Sequence, residues 1–194
     1  MEDLGDLFLD LASGIPTEGY IHELAPNARV LYNDNDPVTV AYGREIVGEN
    51  PNVRYMESDL ADIDPILAAA DEHFQGERRV AICMIGVAYF IPDAALQWVI
   101  QRLYEWALPG SYLASTWLEL NVEHPRIKEL ATLYDRMGVQ IYSRTPEEIK
   151  DLLAPWTIDH RGLALIEDWM KTPEWFRPED ENMQNGYAVL CQKA

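Results

Sequence analysis

Five apolar, β-rich runs, at residues 7–11, 29–32, 53–56, 80–85 and 111–117, alternate with segments of helical pattern. That rhythm limits the fold more than any other feature, because consecutive strands joined by crossover helices build a mostly parallel sheet covered on both faces. The helices are marked by their own signals. Residues 37–47 follow Asp36 with Pro37 in the first turn, 65–73 form a second helix, and 93–107 form a third that stops before Pro109 and Gly110. With 194 residues the chain fits one domain, and no period of repeat or low-complexity linker interrupts it.

The last third changes character. A helix over 125–137 precedes a short one opened by the capping box Thr145-Pro146-Glu147-Glu148, and two strands are expected at 157–163 and 186–191. The expectation is a doubly wound α/β fold with a seven-stranded, mostly parallel sheet whose last strand is antiparallel. Trp156, Trp169, Trp175 and Phe176 either close the sheet edge or wall an acceptor pocket.

Composition removes several functions. Fifteen Lys and Arg against 33 Asp and Glu leave a net charge of −18, a surface that repels phosphate backbones and anionic membranes. Nucleic acid and membrane are therefore not expected as partners. At 48% hydrophobic residues the chain is no disordered acidic tail. Cys83 and Cys191 each sit inside an apolar run, so free buried thiols in a reducing, cytoplasmic setting are expected. The acidic start lacks a signal peptide's basic region, and the longest apolar run, 80–91, is too short to span a bilayer.

In a doubly wound sheet, ligands bind beyond the carboxyl ends of the strands. After the first strand, Asp10 leads through Ala12, Ser13 and Gly14 to Thr17, a small-residue turn that lets backbone approach a ligand before a helix at 20–25. Asp34 follows Gly14 by 20 residues, at the end of the second strand, where a carboxylate can accept hydrogen bonds from both ribose hydroxyls. After the third strand, Asp59 can accept from an adenine amino group. Gly86 opens a permissive turn after the fourth, followed by Tyr89 and Phe90.

A dinucleotide needs close backbone approach to its pyrophosphate, usually through a three-glycine turn, whereas this chain has Pro16 and a negative charge at Glu18. S-adenosylmethionine has no phosphate and carries a sulfonium cation, which suits acids and aromatics. The methyl donor is the preferred cofactor. A nicotinamide-dependent oxidoreductase and a non-catalytic S-adenosylmethionine-binding protein remain as alternatives.

The segment FLDLASGIPTEG, the YNDNDPV after it, the SDL turn, FIPD and LPGSYLAST resemble the class I S-adenosylmethionine-dependent methyltransferases. More narrowly, Gly14 to Thr17, the Gly19-Tyr20-Ile21-His22-Glu23 helix start, Asp34 to Val38 and the RTPEEI of residues 144–149 resemble a bacterial family labelled S-adenosyl methyltransferase, first catalogued as a domain of unknown function. The resemblance implies a Rossmann-like fold over 1–194 as a single domain, with Asp10 and Gly14 near the methionine moiety, Asp34 on the ribose, Asn35 beside the adenine, and Asp59 with Leu60 at the adenine edge. Ala12 stands where that family has a glycine, and its methyl crowds the methionyl portion if the backbone there takes a positive φ. The first strand lies close to Met1, so the helices that usually cover the cofactor in such proteins are not expected within this sequence.

Other readings are plainer. Asp36 is expected as a helix N-cap. The run from Asp34 to Glu45 has acids at calcium-loop positions, but Val38 and Thr39 stand where such a loop needs an oxygen ligand and a glycine. His22, His73, His124 and His160 show no metal-ligand spacing, although His22 can approach the cofactor. No metal is expected. The expected reaction is in-line displacement, in which an O, N, S or C nucleophile of a small-molecule acceptor takes the sulfonium methyl and leaves S-adenosylhomocysteine. A dedicated base is not mandatory, because alignment and water exclusion carry much of such a step. If the acceptor must lose a proton, Tyr89, Glu119 and His124 are the catalytic candidates by position.

Overall fold

The computed structural model describes residues 6–17, 19–173 and 183–194. The first half is the expected rhythm: β1 (Leu7–Leu11), α1 (Ile21–Leu24), β2 (Arg29–Asp34), α2 (Pro37–Val47), β3 (Val53–Glu57), α3 (Ile63–His73) and β4 (Ala81–Met84). A 3-10 turn at Ala88–Phe90 leads to α4 (Asp93–Trp106) and β5 (Tyr112–Leu120). Then follow α5 (Pro125–Arg136), α6 (Pro146–Leu153), β6 (Thr157–Ile158), β7 (Ala164–Leu165), α7 (Ile166–Trp169) and β8 (Gln184–Gln192).

The strands lie in the order β3-β2-β1-β4-β5-β8-β6, with β7 also on β8. The first five pair in parallel, and β8 runs antiparallel between β5 and β6. Alternation along each strand sends side chains to opposite faces. Leu9, Leu11, Leu31, Ile82 and Met84 enter a core with residues of α3, α4 and α6, whereas Val30, Tyr32 and Tyr55 pack with Val40 of α2 in a second. Burial on both faces is what a parallel sheet requires, and it explains the continuous apolar runs.

Local chemistry sets the helix starts. Asp36 accepts from the backbone N–H groups of Val38 and Thr39, the N-cap expected of it, and Thr145 and Glu148 complete their reciprocal capping box.

The expected strand at 157–163 is instead two short strands, and among the described residues the sheet has eight strands rather than the expected seven. The reason is the turn Asp159-His160-Arg161-Gly162. The Asp159 carboxylate accepts from the backbone N–H and guanidinium of Arg161, Gly162 takes φ 73°, and its N–H returns to the Asp159 carbonyl. Both pieces pair antiparallel with β8. The aromatic cluster is likewise divided. Trp156 is buried edge-on against Tyr104, Trp169 lies beneath the Arg161 guanidinium, and Trp175 and Phe176 fall outside the described residues.

Candidate cofactor site

The carboxyl ends of β1, β2, β3 and β4 open into one cleft of about 570 Å³, within the usual size range of small-ligand sites. Its walls include Ala12, Asp34, Asn35, Asp59, Leu60 and Gly86, six of the ten residues expected at the cofactor. Val87, Phe90, Ile91 and Pro92 close one side.

Asp34 anchors the first loop. Its Oδ2 accepts from the Gly14 N–H at 3.0 Å and its Oδ1 from the Asp36 N–H at 3.0 Å. Each carboxylate oxygen has a second lone pair, so acceptor capacity is left for two hydroxyls in the cleft. Asp59 uses Oδ1 to accept from the Ala61 N–H at 2.9 Å, and its second oxygen has no partner among the described residues.

Asp10 lies deeper, paired in register with Tyr32 and Cys83 of the neighbouring strands. Its carboxylate accepts no hydrogen bond among the described residues, and burial pushes its pKa up to about 7. A desolvated, unpaired acid is stabilised as an anion by an incoming cation. The same burial, with Asp10 adding to it, pushes the Cys83 thiol up to about 12, so that thiol stays protonated.

The turn itself is held by groups far along the chain. Asn33, fully buried, donates from its amide nitrogen to the Ser58 carbonyl at 2.7 Å and accepts from the Ala12 N–H at 3.4 Å, tying the first and third loops together. The Tyr55 hydroxyl donates to the Gly14 carbonyl, and the Tyr20 hydroxyl lies 2.7 Å from the Ser13 carbonyl and 2.9 Å from that of Ile15. Sequence reasoning missed Asn33, Tyr20 and Tyr55. Ala12 adopts φ 54°, the positive value the glycine substitution raised as a concern.

Four expected residues do not line the cleft: Asp10, Gly14, Thr17 and His22. Thr17 is exposed beyond it, and the His22 ring lies 2.9 Å by Nδ1 from the Tyr32 hydroxyl, in the aromatic layer with Tyr20. The three base candidates are not brought together. Glu119 Oε2 accepts from Asn185 at 2.9 Å and Tyr187 at 2.8 Å, which binds it to β8, and His124 caps α5 by accepting from the Arg126 N–H. Tyr89 alone reaches the cleft's edge, its hydroxyl 3.6 Å from where a Cβ on Gly86 would be. Burial and the nearby Tyr134 raise its pKa. A phenol so shifted donates a hydrogen bond at neutral pH rather than taking a proton.

Arg144 builds the outer wall. Only 3% exposed, it donates to Asp93 Oδ1 at 2.9 Å, to the Ala88 carbonyl at 2.8 Å and to the Ile91 carbonyl at 2.6 Å, with its guanidinium over the Trp117 and Tyr142 rings. It thereby holds the 3-10 turn that carries Phe90 and Ile91. The sequence marked Arg144 only as part of a family-like motif.

Among the described residues, no group of three His, Cys, Asp or Glu could hold a metal ion, and no helix is long and apolar enough to cross a membrane.

A doubly wound sheet whose antiparallel strand β8 lies sixth, between β5 and β6, with a carboxylate at the end of β2 and an acid at the end of β1, is the frame of a class I, Rossmann-like methyltransferase. The chain belongs to the S-adenosyl methyltransferase family, whose sequence model matches residues 3–194. It is similar to a candidate methyltransferase from Thermobifida fusca, at 28% identity and TM-score 0.80, covering 97% of this chain and 73% of that one. A DUF574 family protein from Streptomyces avermitilis aligns at 27% identity and TM-score 0.81, covering 100% and 78%. Geranyl diphosphate C-methyltransferase from Streptomyces coelicolor, solved with S-adenosyl-L-homocysteine, shares the fold at 10% identity and TM-score 0.66, over 98% and 72%. No curated protein matches the chain. The enzyme is an S-adenosylmethionine-dependent methyltransferase, and the cleft's Asp34 and its apolar Leu60 and Ile91, with Asp10 on the strand behind them, fit a cationic nucleoside cofactor.

Proposed function

We propose that the enzyme methylates a small-molecule acceptor, with the cofactor held by the ends of β1 to β4. The observation that carries this reading is the bond from Gly14 to Asp34, which holds the first loop against the ribose-type acid at one cleft, while the Asp10 carboxylate has no hydrogen-bond partner among the described residues. Asp34 accepts from the ribose hydroxyls, Asp59 from the adenine amino group beside Asn35 and Leu60, and Asp10 faces the cationic methionyl end. Bound S-adenosylmethionine supplies an electrophilic methyl on sulfur. The chain's own contribution is orientation and exclusion of water, with Tyr89 donating a hydrogen bond at the edge of the cleft.

A net charge of −18 supports a neutral or cationic acceptor over a nucleic acid, and two unpaired thiols suit a reducing, cytoplasmic setting. Calorimetric titration with S-adenosylhomocysteine, with NADH as control, tests the cofactor assignment. Binding of the former alone is expected. Binding of NADH alone would replace methyl transfer by hydride transfer at this site.

A further inference from the structure

A second cavity of about 620 Å³ lies between α5 and the segment 138–143, and it belongs to no residue so far given a role in cofactor binding. Its walls are mainly apolar, with Leu120, Val122, Ile127, Val139 and Ile141 among them, and Tyr134 adds a ring. Val139 lines this cavity and the cofactor cleft alike, and the Tyr134 ring lies 6.3 Å from Phe90, which lines the cleft. Phe90 in turn packs on Tyr89 at 4.7 Å. The two cavities therefore meet at an aromatic boundary.

We infer that this cavity is the acceptor site and that the acceptor is an uncharged, flat, ring-bearing small molecule. The inference rests on the proposed placement of the cofactor. Volume and lining are those of a small-molecule pocket, in which apolar surface supplies affinity and a few polar groups set orientation. The two charged lining residues, Lys128 and Asp135, are opposite in sign, and Lys128 is already paired with Glu123 at 2.9 Å, so the site offers an anionic acceptor no dedicated cation. Flatness follows from Tyr134, which presents its ring to the cavity and is backed by Phe90 on the cleft side, because an aromatic ring packs best against a planar partner stacked on it or set edge-on. In the transfer, a bond forms between the acceptor's nucleophilic atom and the methyl carbon, and the carbon–sulfur bond breaks with its electron pair on sulfur. The proton of the acceptor's X–H group passes to water.

The test uses 2-naphthol as probe and S-adenosylhomocysteine as a separate reporter of the cofactor cleft, both by calorimetry on the full chain. Wild-type protein binds naphthol, and Ala131→Trp, which fills the cavity from an exposed position of α5, weakens naphthol about tenfold or more by steric clash while leaving S-adenosylhomocysteine affinity unchanged. Tyr134→Ala, which removes the ring without filling space, weakens naphthol as well. Naphthol binding that is absent from the wild type, or unaltered in both variants, overturns the acceptor site. Loss of naphthol binding through concentration-dependent dimerisation also overturns it and gives this face to a second copy of the chain. Failure of S-adenosylhomocysteine alone strikes at the cofactor assignment, and the naphthol arm still reads the cavity.

Discussion

The Gly14 N–H donates to Asp34 Oδ2 at 3.0 Å, so the acid proposed to accept from the ribose also shapes the loop that follows β1. One side chain thus serves two halves of the site. Asp34→Ala is expected to weaken S-adenosylhomocysteine binding by about 1.5–3 kcal/mol, the loss of hydrogen bonds to a charged group. Asp34→Asn keeps an oxygen for Gly14 and loses the charge, so it should fall between. Calorimetry on folded variants decides, and an unchanged dissociation constant in Asp34→Ala would remove Asp34 from the site.

Ala12 occupies the left-handed region at φ 54°, where a Cβ meets the following carbonyl oxygen. Relief of that clash outweighs the greater freedom of glycine in the unfolded chain. Ala12→Gly should therefore raise stability by roughly 0.5–1 kcal/mol in urea denaturation, and should tighten rather than weaken S-adenosylhomocysteine binding. A lower denaturation midpoint would show that the Ala12 methyl makes contacts worth more than the strain.

Asp10 makes both stability and cofactor binding depend on pH. Its folded pKa of about 7 is above the ordinary 3.8, so the folded state holds a proton that the unfolded chain releases between those values. The stability this contributes is complete below pH 3.8 and is lost as pH rises through about 7. Asp10→Asn, which stays neutral, should exceed the wild type in stability at pH 8 by up to roughly 4 kcal/mol and lose that advantage at low pH. Binding of the cationic donor should run the other way, strengthening as Asp10 ionises. Denaturation midpoints and donor titrations at pH 5.5 and 8 check both signs; parallel profiles for wild type and Asp10→Asn would refute them.

Arg144→Ala removes donors from the Ala88 and Ile91 carbonyls; the Ala88 carbonyl keeps the Ile91 N–H at 3.3 Å, the Ile91 carbonyl loses its side-chain donor, and Asp93, 72% exposed, can turn to water. About 1–3 kcal/mol of stability should be lost, the cost of one buried unsatisfied acceptor. Arg144→Lys cannot reproduce the fork and should recover only part of it. Because the turn it holds carries Phe90 and Ile91, S-adenosylhomocysteine affinity should fall in both variants. Full affinity in Arg144→Lys would mean that the cleft wall stands without the clamp.

Much of this protein is local in origin. The continuous apolar runs of β1 and β2, the cap at Asp36 and the box at Thr145 each depend on neighbours within a few residues, so elements and their order follow from sequence alone. Strand ends in a doubly wound sheet converge by topology, which is why Ala12, Asp34, Asp59 and Gly86 meet at one cleft. Tertiary structure decided what distance in sequence conceals. Glu119 is taken up by Tyr187 and Asn185 some 66 to 68 residues away, His22 turns to Tyr32, and both halves of the broken strand at 157–163 find their partner in β8. Arg144 reaches carbonyls 53 and 56 residues before it. Side-chain periodicity states which face a residue occupies, and only packing states which partner waits there.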